Sequence, residues 1–269
     1  MKRQLTGIRW AKTYGWIIGL LLLLLGCKWE LPRKQDPLTK GLVAYYPFNE
    51  STLDVSGNNL NGQLINGATY GPGKSGKPAT ALLLDGKDDY FEIRDDAKLR
   101  PEVISISLWL KIVRGDTTTI HIYNKSNYLG HTNQQYSAFI RPKYITGKPN
   151  GPGNDIFADV NQDGSCEYEK PPLDHAVVYY DPAFQLNRWY HFVSVFEGTT
   201  GKLYIDGELK GSDTALPPTP IDRCVGGNLR FGTQADVDTN PLNGSVDEIR
   251  IYNRALTATE IKVLSKQWE

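Results

Sequence analysis

The acids and histidines of the 269-residue chain are the groups that could do chemistry, and their spacing limits what that chemistry is. A retaining glycosidase needs two carboxyl groups about 5 Å apart. On a strand that means acids at alternate positions, because successive side chains leave opposite faces. The closest acids, Asp88-Asp89 and Asp95-Asp96, are adjacent and lie in turn-like sequence. His121, His131, His175 and His191 have no serine or cysteine beside them in a nucleophile motif. His191 sits inside an apolar stretch, where a hydrogen-bonded core role is expected. These residues argue against an enzyme. Asp159-Val160-Asn161-Gln162-Asp163-Gly164 copies the first half of an EF-hand loop, but the twelfth position is Lys170 instead of a bidentate Glu. A β-turn between two short strands explains it better. Tyr128, Tyr144, Tyr179 and Tyr180 fall in loop-like surroundings beside Asn and Asp. Sugar rings lay their apolar faces on such aromatics while amides and carboxylates grip the hydroxyls. Each tyrosine alone reads as packing, but as a group they are the ligand candidates. Trp109 and Trp189 lie in apolar stretches and are expected in the core.

The elements that must hold these residues read as strands. Fifteen Tyr, 26 Gly and a single Met suggest short strands and tight turns. In Ile104-Ser105-Ile106-Ser107-Leu108-Trp109-Leu110-Lys111-Ile112 every even position is aliphatic, the period-two pattern of a half-buried strand. Residues 188–196 are apolar on both faces and read as a central strand. Leu203-Tyr204-Ile205, Asp206-Gly207 and Glu208-Leu209-Lys210 predict a hairpin, since Asp-Gly supplies the positive φ of a two-residue turn. Only the C-terminus looks helical, from Ala258 to about Lys266, with Thr257 and Glu260 as a capping box stapled by Leu256 and Ile261. Residues 141–182 form an irregular insertion, either carrying one hairpin or forming a wide loop, and long loops tend to be functional. The 30 bases and 30 acids cancel, so no basic face for nucleic acid is indicated.

The N-terminus reads as a targeting segment. Lys2, Arg3, Arg9 and Lys12 precede an apolar run from Trp16 to Leu25 that is too short to span a bilayer, which needs about 20 residues. Leu24-Leu25-Gly26-Cys27 resembles the lipobox of bacterial lipoproteins. The resemblance implies cleavage after residue 26 and diacylglycerol on Cys27, with the chain lipid-anchored at the outer membrane or cell surface. The first 26 residues hold four bases and no acid, so the remainder has four more acids than bases. Residues 27–40 are polar, contain Pro32 and Pro37, and read as a tether; the domain spans 41–269. With Cys27 lipidated, Cys166 and Cys224 remain. An even count in an exported domain favours a disulfide over two separate thiols.

An ordered set of phrases then points to a family. Leu42-Val43-Ala44-Tyr45-Tyr46-Pro47-Phe48 is followed by Asp54-Val55-Ser56-Gly57-Asn58, Leu84-Asp85-Gly86, Ile106-Ser107-Leu108-Trp109 and Leu203-Tyr204-Ile205-Asp206-Gly207. The last is Asn243-Gly244-Ser245-Val246-Asp247-Glu248-Ile249-Arg250-Ile251-Tyr252. Together they resemble the LamG-like jelly rolls of the concanavalin A-like lectin/glucanase superfamily. The resemblance implies an all-β sandwich of two antiparallel sheets, one concave, with a short C-terminal helix. The Glu-x-Asp-x-x-Glu strand of that superfamily's glucanases is not found here. The resemblance also implies a structural calcium where the first and last strands meet, with Asn49, Asp54 and Asp247 at the matching positions. Asn49 replaces the Asp of many relatives, and Asp247 could instead cap turn amides. Fold alone does not give function. The expected function is carbohydrate binding without catalysis. Protein binding, adhesion or envelope structure is the alternative, and an atypical glycosidase or lyase a weaker one.

Overall fold

The chain divides into a unit ending at Asp36 and a second unit, Pro37–Glu269. A computed structural model describes residues 36–114, 119–126, 135–141, 154–162, 164, 166, 175–181, 184–234 and 241–267, with backbone alone at Asn154, His175, Tyr180 and Asp181. Cys27, the segment 1–26, Tyr128, Tyr144 and Asp163 lie outside them.

Two antiparallel sheets stack face to face. The first contains β1 (Leu42–Tyr46), β3 (Thr69–Gly71), β4 (Ala81–Asp85), β6 (Ile104–Arg114), β11 (Trp189–Glu197), β12 (Thr200–Ile205), β13 (Glu208–Asp213) and β15 (Asn243–Tyr252). Its order is β13-β12-β11-β6-β15-β4-β3, with β1 also paired to β15. The second contains β2 (Gly62–Ile65), β5 (Tyr90–Ile93), β7 (Ile120–Lys125), β8 (Tyr136–Arg141), β9 (Asn154–Val160), β10 (His175–Asp181) and β14 (Leu229–Phe231). Its order is β10-β9-β8-β7-β14-β5-β2. The stretch 141–182 therefore supplies the β9–β10 hairpin, one of the two forms its sequence allowed.

Period-two patterning builds the core. Ile104, Ile106, Leu108, Leu110 and Ile112 of β6 face Phe91, Ile122, Tyr136 and Phe231 of the other sheet inside one buried cluster. Each such fully buried aliphatic side chain stabilises the fold by about 1.5–3 kcal/mol. Tyr46 and Phe48 meet the ring of Phe91 edge-on at 5.0 and 5.1 Å. The Asp206-Gly207 turn has φ of 53° and 78°, as its two-residue hairpin requires.

The opposite face of β6 departs from the sequence reading. Ser105 and Ser107 are 0% and 1% exposed, so β6 is buried on both sides and not half-buried. The cause is the C-terminal segment. Ser105 Oγ donates to Arg254 O at 2.8 Å and accepts from Leu256 N at 3.0 Å. Helix α1 (Ala258–Leu264) then lays Ile261 and Leu264 against Val193, Val195, Tyr204 and Tyr252. Its capping box is formed as expected, and the helix stops at Leu264. Hydrogen bonds from Arg254 hold the Glu260 carboxyl down to about 2. Residues 37–40, at the end of the expected tether, contact the domain: Leu38 is buried in the same cluster, and Arg254 donates to Pro37 O and Lys40 O. Trp109 is buried, but on this outer face under the Lys74 ammonium, 3.3 Å from its ring centre, and not between the sheets.

Candidate functional site

The outer face of the second sheet gathers polar and aromatic side chains in adjacent cross-strand rows. The inward set of each strand is fixed by the core, so the alternate residues share the outer face. Register aligns Gln63, Glu92, Arg230, Asn124, Ser137 and Asp159 across β2, β5, β14, β7, β8 and β9. The next row is His121, Phe139, Phe157 and Val178. A third row aligns Arg141 with Asp155 and the backbone of Tyr180. A bulge between His121 and Tyr123 brings Asn124 onto this face.

The rows are internally fixed. Arg230 Nε donates to Glu92 Oε2 at 2.8 Å, with its guanidinium 4.9 Å from the ring centre of Tyr90. Ser137 Oγ donates to Asp159 Oδ1, and both residues are buried. Phe139 and Phe157 stack at 4.7 Å and 13°. The exposed Arg141 lies over both rings, at 5.1 and 4.7 Å. The middle of the polar row is buried, while Phe157, Asp155, Val178 and Arg141 remain solvent-accessible. The arrangement offers ring edges beside matched donors and acceptors, the equipment for holding a hydroxylated ligand. Of these residues only Asp159, His121 and Tyr180 draw notice in the sequence. The row joins positions 92, 230, 124, 137 and 159, whose adjacency only strand pairing creates.

The four expected tyrosines divide. Tyr128 and Tyr144 lie outside the described residues. Tyr180 is in the third row by backbone register. Tyr179 belongs to the inward set and lines a separate cavity at the sheet edge.

Asn49, Asp54 and Asp247 are the expected calcium ligands. Asn49 and Asp247 line one small cavity, together with Lys74, Lys77, Thr80 and Glu248, and Asp54 is not among its lining. Asp54 caps a turn: Oδ1 accepts from Tyr45 N and Ser56 N, and Oδ2 from Ser56 Oγ and Leu60 N. Asp247 Oδ1 accepts from Glu248 N at 2.8 Å. Glu248 is engaged by Arg250 at 2.7 Å and by Tyr45 Oη. Calcium requires six to eight oxygen ligands. A lining with two lysines, and with both of its carboxylates already engaged, does not fit it. In the Asp159 segment, Asp159 sits on β9 bonded to Ser137 and Gln162 Nε2 donates to Thr219 O, while Asp163 and Lys170 lie outside the described residues.

His191 takes the expected core role on the outer face of the first sheet. It is 1% exposed, its Nε2 is 3.0 Å from Ser107 Oγ, and its ring is 5.0 Å from that of Trp109. Burial, then the charges of Arg250 and Lys74, push its pKa down to about 3. Below the ordinary value of 6.5 the unfolded chain therefore binds a proton that the fold refuses. Stability is full above pH 6.5 and is lost as pH falls toward 3. At pH 5 the loss from this one group is about 2 kcal/mol. Urea unfolding at pH 7 and pH 5 should show it, and His191→Gln should remove that share of the difference. An unchanged pH response in the variant would reject the assignment.

Residues 85–262 match the family profile of the concanavalin A-like lectin/glucanases superfamily, laminin G type, and the chain belongs to it. Among solved structures it is similar to domain 4 of AbnA, a GH43 extracellular arabinanase from Geobacillus stearothermophilus determined with arabinotriose. That match has a TM-score of 0.59 at 22% identity, covering 84% of this chain and 98% of that one. It is also similar to the binding domain of botulinum neurotoxin serotype D, with TM-score 0.62, 16% identity and coverage of 86% and 53%. The same ligand binding domain in complex with N-acetylneuraminic acid matches with TM-score 0.62, 16% identity and coverage of 85% and 51%. The chain thus spans about half of the botulinum domains. At these identities the likeness is one of fold. No curated protein matches the chain.

Proposed function

We propose that this chain is a non-catalytic carbohydrate-binding protein of the bacterial envelope, held to the membrane through lipid on Cys27. The observation that carries the reading is the juxtaposition of the Glu92–Arg230–Asn124–Ser137–Asp159 row with the His121–Phe139–Phe157 row on one sheet face. The arabinotriose complex of the AbnA domain and the N-acetylneuraminic acid complex of the botulinum domain lend it support, since both share this fold.

The separation of carboxylates on the face supports binding without catalysis. Glu92 and Asp159 are four strand spacings apart, about 19 Å. Asp155 and Asp159 are four residues apart along β9, about 13 Å. Neither distance matches the roughly 5 to 9.5 Å of glycosidase pairs. The anchor rests on the apolar run that closes at Cys27, and Cys27→Ser should move the protein out of the membrane fraction of cells.

A glycan array probed with the full chain in detergent tests the binding. At least one glycan should bind, and Phe157→Ala should weaken it by roughly tenfold, the scale of one lost aromatic contact, with an unchanged melting temperature. An array with no bound glycan, beside capture of a purified envelope protein, would transfer the reading to adhesion.

A further inference from the structure

We propose a second ligand site, separate from the outer face, that takes a single neutral sugar ring at the edge of the sandwich. The edge is where β10 of one sheet meets β12 and β13 of the other. Gly201 and Gly211 let it close around Val177. A Cβ at Gly201 would meet Val177 Cγ2 at 2.5 Å, and one at Gly211 would meet Val177 Cγ1 at 2.9 Å. Two residues on, beside Tyr179, the same edge opens into a cavity of about 360 Å³. Small-molecule sites run from about 300 to 1,000 Å³. This one is at the small end, the size for one ring and not a chain.

The floor consists of Tyr179, Tyr190 and Ile205. Tyr190 is locked, with Phe184 stacked at 4.8 Å on its ring, the Arg188 guanidinium at 4.4 Å, and its hydroxyl accepting from Gln185 N at 2.8 Å. The Tyr179 hydroxyl has no hydrogen-bond partner among the described residues. It is half-buried on the edge strand of its sheet, which pairs with β9 alone. The rim carries two opposite-charge pairs, Arg188 with Asp206 at 2.6 Å and Lys210 with Glu208 at 2.9 Å. An anion entering would face Asp206 and Glu208, and a cation would face Arg188 and Lys210. A ligand whose every group both donates and accepts suits such a rim, and sugar hydroxyls have that property.

The site is independent of the outer-face reading because β10 alternates: Val178 belongs to the outer rows, whereas Tyr179 points to the edge. Titration of the full chain in detergent with galactose, glucose, mannose, arabinose and xylose, with galacturonate and glucosamine as charged comparators, tests it by saturation-transfer NMR. A neutral sugar should bind. Tyr179→Phe, which removes only the unpartnered hydroxyl, and Lys210→Ala should each weaken it by up to tenfold, while Phe157→Ala leaves it intact. If Phe157→Ala is silent on the glycan array as well, the outer-face reading fails and the edge site stands on the Tyr179 result. The proposal is overturned if no sugar binds, if the charged sugars bind in preference, or if binding survives Tyr179→Phe and Lys210→Ala unchanged.

Discussion

Replacing Asp95 with Ala should cost about 3–5 kcal/mol of folding free energy, the range for removing one partner of a buried ion pair. Asp95 follows β5 and gathers two cations and one backbone N–H at one end of the second sheet. The ammonium of Lys125, a residue with no solvent exposure, donates to Asp95 Oδ1 at 2.6 Å and to Gly227 O at 2.5 Å. Arg100 Nη1 lies 3.3 Å from Oδ2, which also accepts from Gly226 N at 2.8 Å. Burial depresses the Lys125 pKa, and the Asp95 carboxylate is the group that opposes it. Without Asp95 two cations remain packed with no anion, and the 226–227 turn loses its anchor. At about 2–4 °C per kcal/mol for a domain of this size, the melting temperature should fall by about 10 °C. Lys125→Met in the same background should restore part of the loss, because an apolar side chain of similar volume removes the stranded charge. A loss below about 1 kcal/mol, the value of an exposed pair, would show that water reaches the network.

Removing the disulfide should have an effect of similar size. Cys166 and Cys224 are bonded with their Cα atoms 5.6 Å apart and a sequence separation of 58. Closing a loop of that length contributes about 4 kcal/mol through the unfolded chain. The bond ties the segment after β9 to the segment before β14. Around it, Asp222 N donates to Asn161 O and Gly164 N to Asp222 Oδ1, each at 2.9 Å. These contacts survive reduction, so the native fold should persist with a lower denaturation midpoint and a larger m-value, because the unfolded chain without the cross-link exposes more surface. Urea unfolding of the Cys166→Ser, Cys224→Ser double variant measures the loss directly. A midpoint equal to that of the parent chain, or free thiols in protein purified without reductant, would overturn it.

Much of the scaffold was legible because its signals are local. The alternation from Ile104 to Ile112, the Asp206-Gly207 turn and the Thr257–Glu260 box each act within a few residues, and each is found where expected. Cysteine parity pointed to the disulfide for the same kind of reason: with Cys27 set aside for the expected lipid, one pairing remains, and Cys166 and Cys224 are bonded. The sequence misjudged the far side of β6. Ser105, Ser107 and Trp109 look solvent-facing or core-facing by pattern, yet Ser105 meets the segment before the helix, Ser107 meets His191 and Trp109 lies under Lys74, each more than 30 residues away in sequence.

By itself the sequence carried the phrases whose resemblance pointed to the family and its two-sheet sandwich, and it favoured pairing Cys166 with Cys224, because motif phrases, turn chemistry and cysteine count are legible in the chain without its tertiary structure. Only the tertiary structure decided where ligands can bind. It aligned Glu92, Arg230, Asn124, Ser137 and Asp159 in one row. It separated Tyr179 from Tyr180 by the alternation of β10, and it kept Asp54 away from the cavity that holds Asn49 and Asp247. The reason is that cross-strand neighbours are set by register between segments up to 138 residues apart, and no local signal encodes which strand will lie beside which.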